Sequence, residues 1–211
     1  MSPSCARAGT RRFSHVAEAV PHNGAMTATP PLPPWPSTPP AHGGVVLRRA
    51  REDDVAMARD LATDAYIPTI GTLPPHADEV QALAWILRQH GRYDEGAGFS
   101  FAVADASTDA AVGQCGLWLR ELGEGRATAG YSIAPSARGR GFAADALAAL
   151  TAFAWTVPGL FRVALYIEPW NEGSVRTAER AGYGREGLLR SHREIGGVRR
   201  DMLLYAAVRP E

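Results

Sequence analysis

The segment SARGRGFAADAL, Ser136–Leu147, constrains this chain more than any other stretch. Two glycines and two arginines run directly into a helix expected from about Gly141 to Trp155. That helix is apolar on almost every side through Phe142, Ala146, Leu147, Leu150, Phe153 and Ala154, so it must be buried against a sheet. Strand-like segments flank it, Arg126–Ala134 before and Phe161–Glu168 after, and a single crossover helix between two strands of one sheet makes them parallel. The glycines sit where successive backbone N–H groups can turn toward one anion, with the helix dipole adding partial positive charge.

The remaining elements are set by periodicity and turn chemistry. Val45–Arg48 reads as a first strand, and Asp53-Asp54 favour the start of a helix through about Asp64. Pro68, Gly71, Pro74 and Pro75 interrupt the chain. A second helix follows from about Ala77 to Arg92, with Val80, Leu83, Ala84 and Leu87 as its apolar stripe. Phe99–Asp105, Ala111–Arg120 and Arg126–Ala134 are strands joined by short turns and hence antiparallel. After the crossover, a short helix from about Glu172 to Ala181 leads to two strands around Gly196-Gly197. The order β-α-α-β-β-β-α-β-α-β-β predicts an α/β fold with one mixed sheet, in a single domain spanning residues 45–211.

Residues 1–44 differ. The run PPLPPWPSTPP at 30–40 predicts a disordered, Pro-rich N-terminal tail, and Met26 offers a second start that would make residues 1–25 a gene-model artefact. Net charge is zero, so no global field recruits nucleic acid or an anionic membrane. All 22 basic residues are arginine, which excludes a lysine nucleophile or a P-loop lysine. Cys5 and Cys115 form neither a disulfide framework nor a metal set, and no apolar run reaches spanning length; a cytoplasmic protein without a metal is expected.

Three readings compete for the opening segment. An RNA-binding Arg-Gly tract needs many repeats, and only two Arg-Gly units occur. A dinucleotide fingerprint matches Gly139-x-Gly141-x-x-Ala144, with Glu168 closing the next strand. Its first glycine should end the strand directly, yet Ala134-Pro135-Ser136-Ala137-Arg138 intervenes. The third reading is a phosphate loop seated on a buried helix. There the residues resemble a family: Arg138-x-x-Gly141-x-Ala143 is similar to the acetyl-CoA motif of the GNAT N-acetyltransferases. Ala129–Ile133 resembles the strand that lines their pantetheine arm, and Asn171-Glu172-Gly173-Ser174 with Ala181-Gly182-Tyr183, and the ending Gly197–Asp201 and Leu203–Tyr205, resemble the branch of ribosomal-protein N-terminal (alanine/serine) acetyltransferases.

The resemblance implies a GNAT fold whose sheet splays between its fourth and fifth strands to admit acetyl-CoA, the co-substrate. It implies pyrophosphate on the amides of Arg138, Gly139, Arg140, Gly141, Phe142 and Ala143, with added contacts from the two arginine side chains. It places an oxyanion amide at Ser132 or Ile133, a pantetheine contact at Asn171, and a proton donor at Ser174. Relatives often carry a Tyr where this chain has Ala178 and a Glu where it has Thr128, so Glu168, Glu194 and His192 are the candidate bases. Cys115 is expected to be a buried strand residue rather than a nucleophile.

The acceptor is expected to be a primary amine, either a protein N-terminus or a small molecule. Its pocket is expected between the first two helices, the Pro68–Pro75 loop and the last hairpin, with Tyr66, Trp85, Trp118 and Trp170 as candidate lining. No nucleic-acid or membrane partner is expected, and the chain is expected to be a monomer or homodimer. The missing Glu and Tyr leave a non-catalytic acyl-CoA-sensing module as the alternative.

Overall fold

A computed structural model describes residues 32–211. Among these, eight strands form one mixed sheet: β1 (Ala41–His42), β2 (Val45–Arg48), β3 (Gly98–Asp105), β4 (Ala111–Trp118), β5 (Arg126–Ile133), β6 (Arg162–Ile167), β7 (Gly184–Ile195) and β8 (Val198–Val208). Their spatial order is β1-β2-β3-β4-β5-β6-β8-β7. Every neighbouring pair is antiparallel except β5 and β6, joined by the crossover helix α4 in the series α1 (Val55–Leu61), α2 (Ile67–Ile70), α3 (Glu79–Asp94), α4 (Phe142–Ala154) and α5 (Glu172–Arg180).

Alternation along the strands divides the core between the two faces of the sheet. On one face Phe99 and Phe101 meet Phe153 of α4 edge to face, with ring centroids 4.8 and 5.4 Å apart, and Leu147 and Leu150 are fully buried behind them. On the other face Leu61 of α1 and Trp85 and Ile86 of α3 pack over Ala102. The expected α3 stripe is therefore displaced around the helix. Val80 and Leu87 are 76% and 47% exposed, and Ala82, Trp85, Ile86 and Gln89 face inward. The adjacent Trp85 and Ile86 bury more apolar area than the competing face, and Gln89 is tolerated because its amide oxygen accepts from Ser100 Oγ at 3.2 Å and its nitrogen donates to Trp85 O.

Two local expectations are corrected. Pro68 does not break the chain; it sits in the first turn of α2, where its missing N–H is no loss. Asp54 does not cap α1 through its side chain. Its carboxylate instead takes both terminal nitrogens of the buried Arg48 at 2.8 Å, and Asp109 accepts from Arg48 Nε.

Residues 1–31 of the expected tail lie outside the described residues. Residues 32–44 are not a disordered spacer. Trp35 is 4.8 Å from Phe101, 5.5 Å from Phe99 and 5.5 Å from Tyr93, with the Arg49 guanidinium 4.1 Å above it. Tyr93 Oη donates to Pro33 O, and β1 pairs with β2. One tryptophan supplies the apolar area that prolines alone do not, so the strap docks on the core. Trp35→Ala is expected to lower unfolding free energy by about 2 kcal/mol, below the value for a fully buried tryptophan because the ring is half-buried. Urea unfolding followed by far-ultraviolet circular dichroism checks this.

Candidate active site

After β5 the chain makes one 3-10 turn at Pro135–Ala137, extends through Arg138, and enters α4 across Gly139 and Gly141. Both glycines are left-handed, with φ of +80° and +86°, a conformation L side chains rarely adopt. The amides of Gly139 through Ala143 bond to no protein acceptor among the described residues. Gly139, Gly141, Phe142 and Ala143 border a cavity of about 1150 Å³ that runs between the loop and α5, past Ser132, Asn171, Ser174 and Thr177.

The two arginine side chains do different work from their amides. Arg138 lines this cavity, but its Nε donates to Ile133 O at 3.1 Å and its guanidinium pairs with Asp64 at 2.7 Å. Burial opposes charge on Asp64, yet the amides of Ile67 and Tyr66 and the Arg138 guanidinium outweigh it and hold the carboxyl below its ordinary range. Ser136 Oγ and N both donate to Asp60. The end of α1 and the turn after it thus brace the loop from one side. Arg140 turns away from the cavity, donating to Asp105 at 2.9 Å with its guanidinium 4.4 Å from the centroid of the Phe142 ring. The expected anion contact of its side chain is corrected accordingly; its backbone amide is what remains at the loop.

β5 and β6 pair only at Arg126–Arg162, Ala127–Val163 and Thr128–Ala164, and then separate. Ala134 N donates to Val112 O, and the β4–β5 register carries that alternation back along the strand. It places the Ser132 amide in the ladder with Gln114 and turns the amides of Tyr131 and Ile133 toward the gap. Of the two expected oxyanion positions, Ile133 faces the opening and Ser132 does not. Asn171 caps α5, its Oδ1 accepting from Ser174 N at 3.1 Å, while both residues line the cavity. Ala178, one turn further, is fully buried in the core.

A second cavity of about 670 Å³ opens on the α1–α3 face of the sheet and shares Tyr66, Tyr131, Ser132, Asn171 and Ser174 with the first. Its floor is the Trp118 indole, which lies over Gly116 and Gly130, paired residues of β4 and β5. A Cβ on Gly130 would come within 3.0 Å of that ring, so these glycines exist to seat it. Trp85 and Tyr66 form walls, whereas Trp170 belongs to the coenzyme-sized cavity and meets Tyr66 edge on at 4.9 Å.

Among the candidate bases, Glu168 alone lines the second cavity, and it is 3% exposed. Arg200 Nε lies 3.8 Å from its carboxylate. Burial first, and then the approach to Glu168, push the Tyr66 phenol well above its usual range. Glu194 is exposed on β7 and lines neither cavity, and His192 stacks on Tyr166 at 4.8 Å. Cys115 is fully buried, which pushes its thiol far up and leaves it a packing residue.

Sequence reasoning missed Tyr131, Asp60 and Asp64. Tyr131 Oη donates to Ser174 O at 3.3 Å and so joins β5 to the first turn of α5 across the gap. The signal for Tyr131 was its place in the splayed strand; none marked the two aspartates, which meet the loop only through tertiary packing.

A family model described as acetyltransferase (GNAT) domain matches residues 45–184. The uncharacterized N-acetyltransferase p20 of Bacillus licheniformis is 26% identical over 167 residues, 79% of this chain and 94% of that protein. Among solved structures, Mycobacterium smegmatis RimJ in complex with CoA-disulfide is 26% identical with a TM-score of 0.67, over 84% of this chain and 86% of that one. RimL, a ribosomal L7/L12 alpha-N-protein acetyltransferase in complex with coenzyme A, superposes with a TM-score of 0.67 at 20% identity, over 80% and 96% of the two chains.

Proposed function

Because the chain belongs to the GNAT acetyltransferase family, and is thus an acetyl-CoA-dependent acetyltransferase, we propose that it acetylates a primary amine by direct attack within a ternary complex. The acceptor is a protein N-terminal α-amine or a small-molecule amine. The observation that carries this reading is the junction of two cavities at the β5–β6 gap. One is bordered by the acceptor-less amides of Gly139–Ala143, and the other is walled by Tyr66, Trp118 and Glu168.

Acetyl-CoA supplies an activated thioester. The protein supplies placement: five preorganised amides and the α4 dipole for a pyrophosphate, and an opening between strands wide enough for a thin arm. The Tyr131 and Ile133 amides are donors for a carbonyl oxygen gaining charge. Glu168 takes the proton from the attacking amine, and Ser174, at the junction, donates a hydrogen bond to the leaving thiolate, which takes up that proton by way of water. The RimJ and RimL likenesses favour a protein N-terminus as acceptor, since L7/L12 is named as the substrate of one of them.

A thiol-release assay with acetyl-CoA against N-terminal peptides, polyamines and aminoglycosides tests the proposal. Turnover is expected with at least one amine class. Acetyl-CoA binding by calorimetry with no thiol release across the panel would favour the non-catalytic alternative, and no acetyl-CoA binding at all would overturn both.

A further inference from the structure

The acceptor cavity has a charged end that the transfer step does not use. Arg92, in the last turn of α3, and Arg120, just past β4, both line it, and the Arg92 guanidinium stands 5.5 Å from the centroid of the Trp118 ring. Among the described residues neither makes a side-chain hydrogen bond or an ion pair with a carboxylate. The other charges facing this end are accounted for. Glu121 leans on Arg126 at 3.5 Å, Arg88 donates to Thr72 O, and Glu95, just past α3, acts on Arg92 without forming an ion pair with it. The arginines that border the coenzyme-side loop are matched, Arg138 by Asp64 and Arg140 by Asp105, whereas these two cavity-lining arginines are not.

We infer that Arg92 and Arg120 bind an anionic group, carboxylate or phosphate, carried by the amine acceptor, so that the enzyme selects amines bearing a negative charge. This rests on the acetyltransferase reading above and narrows its substrate class. The register gives the spacing. Trp118 pairs with Thr128, Thr128 with Ala164, and Glu168 lies four residues further along the chain from Ala164. At about 3.3 Å per residue the Trp118 and Glu168 backbones are about 13 Å apart along the strand direction, and the Trp118 ring reaches back over Gly130, about two residues nearer Glu168. The amine sits at Glu168 and the anion at the arginine end, with the Trp118 ring between them. An acidic side chain at the second or third position of a peptide, or a phosphate on a longer amine, spans that distance.

Two physical arguments favour an anion there. Burial, with help from the neighbouring guanidiniums of Arg88 and Arg120 and against the pull of Glu95, lowers the pKa of Arg92. A guanidinium held in that environment remains charged and gains from an acceptor of opposite sign. Arginine pairs also match the two oxygens of a carboxylate or phosphate with parallel N–H bonds, and the flat indole beneath fixes the plane of approach.

The test is calorimetric titration of matched amines into the full-length protein saturated with coenzyme A. The pairs are Ala-Glu-Glu-Ala amide against Ala-Gln-Gln-Ala amide, and 6-aminohexyl phosphate against 6-aminohexanol. The anionic member of at least one pair is expected to bind 10-fold or more tighter, and which pair shows it tells carboxylate from phosphate. Arg92→Gln with Arg120→Gln is expected to abolish that preference while coenzyme A affinity stays unchanged. Equal or undetectable binding of the anionic members, or a preference that survives in the double variant, overturns the inference. Failure of coenzyme A itself to bind overturns the acetyltransferase reading instead, so the two are separable.

Discussion

Gly141→Val is expected to weaken acetyl-CoA binding about 30-fold or more while the protein stays folded. A Cβ at Gly141 meets nothing within 4 Å, so the effect does not come from a clash. It comes from φ of +86°, which costs an ordinary L residue about 1–2 kcal/mol and a β-branched one at least as much. The chain relieves that cost by rotating to negative φ, and the rotation re-aims the amides on both sides of the residue. About 2 kcal/mol corresponds to roughly 30-fold in affinity. Gly141→Asn separates conformation from bulk, because asparagine visits the left-handed region far more readily and is expected to retain most of the affinity. Calorimetry with acetyl-CoA, alongside thermal melts of each variant, provides the check. Wild-type affinity in a folded Gly141→Val protein would remove the loop from the coenzyme site.

The same loop shows why its conformation was legible and the destinations of its side chains were not. Positive φ at a glycine just ahead of an apolar helix is a local matter, written in Gly139, Gly141 and Phe142 themselves. The destinations of Arg138 and Arg140 depend on Asp64 and Asp105, which are 74 and 35 positions away in sequence. A guanidinium near a phosphate loop invites the reading of a phosphate ligand, but a neighbouring carboxylate engages it first. The parallel crossover was legible for a different reason: one helix between two strands of a sheet leaves few ways to connect them. The splay of β5 from β6 was expected from the resemblance, but no residue pattern marks Thr128–Ala164 as their last pair.

The misplaced stripe on α3 and the docked strap share a cause. Val80, Leu83, Ala84 and Leu87 satisfy helical periodicity as well as Ala82, Trp85, Ile86 and Gln89 do, and the packing of Trp85 and Ile86 on the sheet, with Ser100 as partner for Gln89, chooses between them. Likewise the prolines of residues 32–40 signal a spacer, while the location of that chain is decided by Trp35 meeting Phe99, Phe101 and Tyr93. Periodicity and turn chemistry report local conformation; the choice among equally patterned faces is made by packing. The Trp118 floor belongs with these. Its glycines, Gly116 and Gly130, are unremarkable strand residues until the register places them side by side.

Glu168→Gln is expected to lower kcat/KM between about 100- and 10,000-fold, the usual range for removing a positioned proton acceptor. An α-amine with a pKa near 8 reaches the site largely protonated at pH 7, so a base is needed both to free the nucleophile and to take the proton released on acylation. The amide is close to isosteric in the buried position and can still accept from Tyr66, so the fold is retained. The pairing with Arg200 is half exposed, 3.8 Å long, and contributes little. Acetyl-CoA affinity is expected to be unchanged, because Glu168 borders the acceptor cavity and not the coenzyme cavity; that contrast with Gly141→Val distinguishes the two defects. The deficit should also narrow above about pH 9, where the amine arrives neutral and solvent removes the second proton. Rates at pH 7 and pH 9.5 read this directly. A variant within threefold of wild type at pH 7 would eliminate Glu168 as the base. An equal loss at both pH values would mark it as a positioning residue for Tyr66, and the proton would then leave through water in the acceptor cavity.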